Sequence, residues 1–69
     1  MAGTETRFLR IKDVLDSVAL SRATLYRLVN NGDFPQPVKV GNSTMWVQKE
    51  VDDWMRLKVA SRAKVHVLD

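Results

Sequence analysis

Two kinds of hydrophobic spacing alternate along the chain and divide it into segments. Ile11, Val14, Leu15 and Val18 fall at i, i+3, i+4 and i+7, with Lys12, Asp13 and Asp16 pointing away. This spacing predicts an amphipathic helix over about residues 11–17. Its start lacks a conventional cap, because Arg10 stands where Ser, Thr or Asp is preferred. Val18-Ala19-Leu20 then lead to Ser21, whose hydroxyl can accept the amides of a second helix beginning at Arg22. So short a link forces the two helices to cross. In the second helix Leu25, Leu28 and Val29 share one face, while Ala23, Tyr26, Arg27 and Asn30 lie toward the opposite face. Asn31-Gly32 closes it, since both residues tolerate the left-handed conformation that ends helices.

The spacing then shortens. Pro35 and Pro37 impose an extended path on residues 33–37 and leave Phe34 as an anchor into the core. Val38-Lys39-Val40 and Thr44-Met45-Trp46-Val47 are β-prone runs on either side of Gly41-Asn42-Ser43, where Gly41 and Asn42 can take the positive φ of a tight turn. The predicted hairpin turns Val38, Val40 and Trp46 inward and Lys39 outward. From Gln48 to about Arg62 helical spacing returns, with Val47, Val51, Trp54 and Met55 on one face and the Lys58 stem able to lie along it. Glu50, Asp52 and Asp53 open this helix and Arg56, Lys58, Arg62 and Lys64 follow toward its end, in the order the helix dipole favours. Phe8 and Leu9 form a short extended stretch before the first helix. Residues 1–6 read as a disordered lead-in, residues 63–69 as a mobile tail, and residues 7–62 as one folded unit.

Composition narrows the class. Sixty-nine residues suffice for one small domain with a compact core. The absence of cysteine excludes a disulfide framework and thiolate metal sites. No apolar run approaches the ~20 residues of a membrane span, so the expectation is a cytoplasmic protein without membrane contact. Eleven Lys and Arg against eight Asp and Glu give a net charge of +3, which favours an anionic partner, although the placement of the charges matters more than their sum.

Catalytic and cofactor readings find little support. Glu50 and Asp53 share a helix face, but acids at a helix start are favoured by the dipole alone. His66 is the single histidine and lies in the tail, and the three glycines form no phosphate-cradling loop. No enzyme activity, cofactor or metal is therefore expected. What remains is helix, short turn, helix and hairpin, the order of a winged helix-turn-helix that binds DNA. A helix enters the major groove only if its outer face carries donors and little negative charge. Residues 21–31 contain two arginines and no acid. Arg22 and Arg27 suit phosphates or guanine edges, Asn30 and Asn31 suit adenine, and Thr24 and Tyr26 can donate to phosphates. Ser21 places helix amides where a phosphate can meet them. On the hairpin, Lys39, Asn42, Ser43 and Thr44 are the candidates for contact by a wing. Trp46 and Trp54 occupy inward positions and read as core.

The runs Arg7-Phe8-Leu9-Arg10-Ile11-Lys12-Asp13-Val14, Leu20-Ser21-Arg22-Ala23-Thr24-Leu25-Tyr26-Arg27, Gly32-Asp33-Phe34-Pro35, Val38-Lys39-Val40-Gly41 and Trp46 ahead of Glu50-Val51-Asp52-Asp53-Trp54 resemble the AlpA family over about residues 7–57. The resemblance implies a small bacterial, prophage or genomic-island DNA-binding protein with a MerR-like or excisionase-like winged helix. It implies transcriptional control, often of a neighbouring integrase gene, or action as a recombination directionality factor that bends attachment-site DNA. It also carries the recognition role onto Ser21, Arg22, Thr24, Tyr26 and Arg27, and the wing onto Lys39 to Thr44. Many relatives place arginine near the wing tip, where this chain has Asn42-Ser43-Thr44. The implied partners are double-stranded DNA, integrase, and further copies of the chain on adjacent sites. The alternative is a protein-interaction adaptor that recruits integrase or another partner through the basic last helix and tail.

Overall fold

The computed structural model describes residues 6–62. The lead-in and tail expectations fall almost wholly outside these residues. In chain order the elements are β1 (Phe8–Arg10), α1 (Ile11–Val18), α2 (Arg22–Asn30), β2 (Val38–Val40), β3 (Ser43–Val47) and α3 (Gln48–Ser61). Three helices thus surround a small antiparallel sheet of order β1-β3-β2, an architecture compatible with a winged helix.

The helices form for the reasons their spacing gives, and their ends show how each is stopped. Arg10 provides no side-chain cap to α1, which instead starts directly from the paired strand β1. At its other end Ala19 adopts the left-handed conformation, φ 58° and ψ 40°, and its amide donates to the Leu15 carbonyl at 2.8 Å. Alanine rather than glycine therefore makes the turn between α1 and α2. Ser21 Oγ accepts from the Thr24 amide at 3.1 Å, the cap expected for α2. The end of α2 is a Schellman motif, in which Gly32 N donates to Val29 O at 3.1 Å and Asp33 N to Leu28 O at 2.8 Å. Only Gly32 (φ 78°) takes the left-handed conformation there; Asn31 stays right-handed at φ −84°.

Val14, Leu25, Val29, Phe34, Trp46 and Val51 are the buried core, with Leu9, Ile11, Leu15, Leu28, Trp54 and Met55 among the partly buried side chains packed against it. Every element except β2 contributes to this cluster. Three side chains pin the proline-containing connection over the core. Trp46 Nε1 donates to Pro35 O at 2.9 Å, Trp54 Nε1 to Asp33 O at 2.7 Å, and Gln36 Nε2 to Val29 O at 2.8 Å. Phe34 meets the Trp54 ring edge-on, with centroids 4.8 Å apart. Both indole N–H groups are thereby satisfied by backbone carbonyls, which lets two large aromatic rings pack without an orphaned donor.

The hairpin departs from the sequence expectation in two ways. Val38 and Val40 are exposed, at 38% and 41%, whereas Trp46 is fully buried. The register explains this: Val38 faces Met45 and Lys39 faces Thr44, so Lys39, Thr44 and Trp46 share one side of the sheet and the two valines the other. The turn is also shorter, because β3 begins at Ser43 and leaves only Gly41-Asn42 between the strands. Gly41 alone has positive φ, 62°, the pattern of a type II′ turn, and Asn42 does not share it. Phe8 and Leu9 are a true strand: Phe8 pairs with Val47 and Leu9 with Trp46.

Candidate nucleic-acid interface

The α2 helix has a buried side and an exposed side. Leu25 and Val29 enter the core with Leu28 beside them, and this fixes which residues face outward. Arg22, Ala23, Tyr26, Arg27 and Asn30 are all exposed, and Asn31 is exposed just past the helix end. Arg22 and Tyr26, Tyr26 and Asn30, and Ala23 and Arg27 are each four residues apart, so their side chains are neighbours on one surface. Tyr26 is 41% exposed.

Ser21 and Thr24 stand apart from this row. Ser21 is exposed, but its hydroxyl accepts from Thr24 N and donates to Thr24 Oγ1 at 2.9 Å. Thr24 is half-buried. Both hydroxyls are thus committed first to capping the helix, and what they offer a partner is the positive end of the helix dipole together with the remaining Thr24 hydroxyl proton.

Charge sharpens the contrast between α2 and α3. Among the described residues the ion pairs lie on α3, where Asp53 holds Lys49 at 3.0 Å and Arg56 at 3.1 Å. Arg22 and Arg27 have no ion-pair partner there, and no acid lies in α2. Their charge is directed outward on a helix whose other side is locked. Glu50 is exposed on α3 and Asp53 is engaged by its two cations, which separates the two acids that share this helix face. Among the described residues no group of three His, Cys, Asp or Glu is placed to hold a metal, and no helix is long and apolar enough to cross a membrane. His66 lies outside the described residues.

The hairpin candidates form a second, smaller group. Lys39 and Asn42 are exposed, while Ser43 and Thr44 are half-buried. Lys39 and Thr44 are direct register partners, so the one cation of the hairpin stands beside a hydroxyl. No hydrogen bond or ion pair among the described residues joins this group to the outer face of α2. Ala23 is the exposed position that the list of polar candidates passes over. Its place between Arg22 and Arg27 follows from helical periodicity, but a methyl group carries no polar signal to single it out.

Residues 7–59 match the family described as prophage CP4-57 regulatory protein (AlpA). The chain is also similar to the uncharacterized protein ORF88 of Enterobacteria phage P4, with 39% identity over 62 residues that cover 88% of this chain and 70% of that protein. No solved structure matches the chain.

Proposed function

The chain belongs to the AlpA family of prophage regulatory proteins, and from that premise we propose that it is a sequence-specific reader of double-stranded DNA that regulates a mobile element. The observation that carries the reading is the exposed, acid-free face of α2, where Arg22 and Arg27 have no ion-pair partner among the described residues while Leu25 and Val29 hold the helix against the core. Such a helix can be inserted into the major groove without reorganising the protein. Arg27 and Asn30 discriminate bases, at about 1–3 kcal/mol for each good bidentate contact. Arg22, Tyr26 and the capped start of α2 hold phosphates, and the hairpin with Lys39, Asn42, Ser43 and Thr44 lies against the adjacent backbone as a wing. Asn31, just beyond the helix, extends the polar row.

Within that reading the output is control of a neighbouring integrase gene, excision of the element by bending its attachment site, or both. A domain of this size covers one short site, so occupancy is built from several copies on adjacent sites or from contact with integrase. With Arg22 and Lys39 each neutralising one phosphate, log K against log salt should fall with a slope of roughly −1.8 for each bound copy. The test is selection of bound duplexes from genomic fragments of the source organism at two salt concentrations. Tandem sites beside an attachment region support the excision role, isolated sites over promoters support transcriptional control, and no enrichment at either salt overturns the proposal.

A further inference from the structure

The outward residues of α2 do not all point equally far from the core. At about 100° per residue, Leu25, Leu28 and Val29 together define one direction into the protein, and Ala23, Arg27 and Asn30 point within about 35° of the direction opposite to it. Ala23 lies nearest to that outward pole, whereas Tyr26 and Arg22 lie about 75° and 115° round to one side. Ala23, Arg27 and Asn30 recur at i, i+4 and i+7, so they form one stripe along the helix, and all three are exposed. The stripe is polar except at its first member. That member stands in the first turn of α2, just after the Ser21 cap.

We propose that Ala23 is a specificity-determining residue whose methyl group packs against the 5-methyl of a thymine in the major groove. On the reading of α2 as the DNA-recognition helix, on which this rests, the outward pole is the part that goes deepest into the groove. A helix docked in this way contacts base edges with its N-terminal residues, and Ala23 is the pole residue at that end. Its side chain has no donor or acceptor to offer a polar base edge. The apolar group that base pairs present in the major groove is the thymine 5-methyl, and alanine is one of the side chains that meet it.

Size and stiffness fit the same contact. A longer side chain at the pole would hold the helix away from the groove floor and lift Arg27 and Asn30 from the bases they read. The alanine methyl has no rotamers to lose, so ordering it against a base costs no side-chain entropy. Its core-facing neighbours do not need it, because Leu25, Leu28 and Val29 hold the helix in place. Arg27 lies one turn further on, about 6 Å along the axis at 1.5 Å per residue. With base pairs spaced about 3.4 Å apart, the thymine met by Ala23 falls within about two base pairs of the base read by Arg27.

The test uses the duplex enriched by selection with the wild-type protein. Each thymine of the motif is replaced in turn by uracil, which keeps the pairing and removes only the 5-methyl. The expected result is one thymine, within about two base pairs of the position at which Arg27→Ala relaxes preference, where uracil weakens binding about fourfold, the worth of one buried methyl group. Ala23→Gly should bind the thymine and uracil duplexes equally well. Glycine weakens the helix, but a smaller folded fraction lowers the affinity for both duplexes by the same factor and leaves their ratio unchanged. A motif in which no thymine responds to uracil, or a response that survives in Ala23→Gly, would overturn the proposal while the reading of α2 stands. Failure to enrich any motif would overturn both.

Discussion

Ala19 offers a test of the physical reasoning at the point where α1 turns into α2. It has φ 58° and ψ 40°, the left-handed region in which Cβ crowds the following carbonyl. For an L-residue with a side chain this costs about 1–2 kcal/mol. Ala19→Gly removes that cost but gives the unfolded chain more freedom, which takes back about 0.4–1 kcal/mol. The net expectation is a gain of about 0.5–1 kcal/mol. The hydrogen bond from residue 19 to Leu15 O is kept, because glycine has the same amide. In a domain of this size 1 kcal/mol corresponds to about 4–8 °C, so the melting midpoint should rise by roughly 2–8 °C. Thermal unfolding followed by circular dichroism measures it directly. Ala19→Val is the companion, since a β-branched residue at positive φ is strained further, and its midpoint should fall. A lower or unchanged midpoint for the glycine variant would refute the strain argument.

Other perturbations have equally definite outcomes. Ser21→Ala removes the acceptor of the Thr24 amide and should lower stability by about 1 kcal/mol, read as a shift of the urea midpoint at constant slope. Trp46→Ala empties a fully buried site and strips the Pro35 carbonyl of its donor, costing about 3–5 kcal/mol, enough to abolish the cooperative transition in so small a domain. Gly41→Val forces a β-branched residue into φ 62° at the hairpin turn and should weaken amide protection at Val38 and Ser43 more than in α2, as measured by hydrogen exchange.

How much of this was legible in the sequence follows from how local each determinant is. All three helices were readable because their signals lie within one or two turns: the i, i+3, i+4, i+7 stripe of α1, the Ser21 cap and the Gly32 stop of α2, and the acid-to-base order of α3. The hairpin was readable as a hairpin, but its faces were not. Val38 and Val40 look like inward residues by alternation, and only the two-residue turn fixes the register that sets them opposite Trp46. One residue of difference in turn length decides which side of the sheet a residue occupies. The pairing of Phe8 with Val47 is a contact between distant segments, and a three-residue strand carries no periodicity that announces its partner. Alanine at a left-handed turn is invisible for a different reason: local preference disfavours positive φ at a residue with a side chain, so nothing in the residue type announces it. On α2 the outward row of Ala23, Tyr26, Arg27 and Asn30 was legible from periodicity. The capping role that Ser21 and Thr24 share was only half legible, since the Ser21 hydroxyl also donates to the Thr24 hydroxyl.

The central claim is that the exposed face of α2 reads DNA, and it is tested most directly by selecting duplexes from a random library in parallel with the wild-type protein, Arg27→Ala and Asn30→Ala. The account predicts one enriched motif for the wild type. Each variant should relax preference at its own position, with a loss of about 1–3 kcal/mol for the wild-type site. Thermal midpoints close to that of the wild type are expected, since both side chains are exposed. Folded variants that enrich the same motif with undiminished affinity would contradict the claim and remove α2 from the interface.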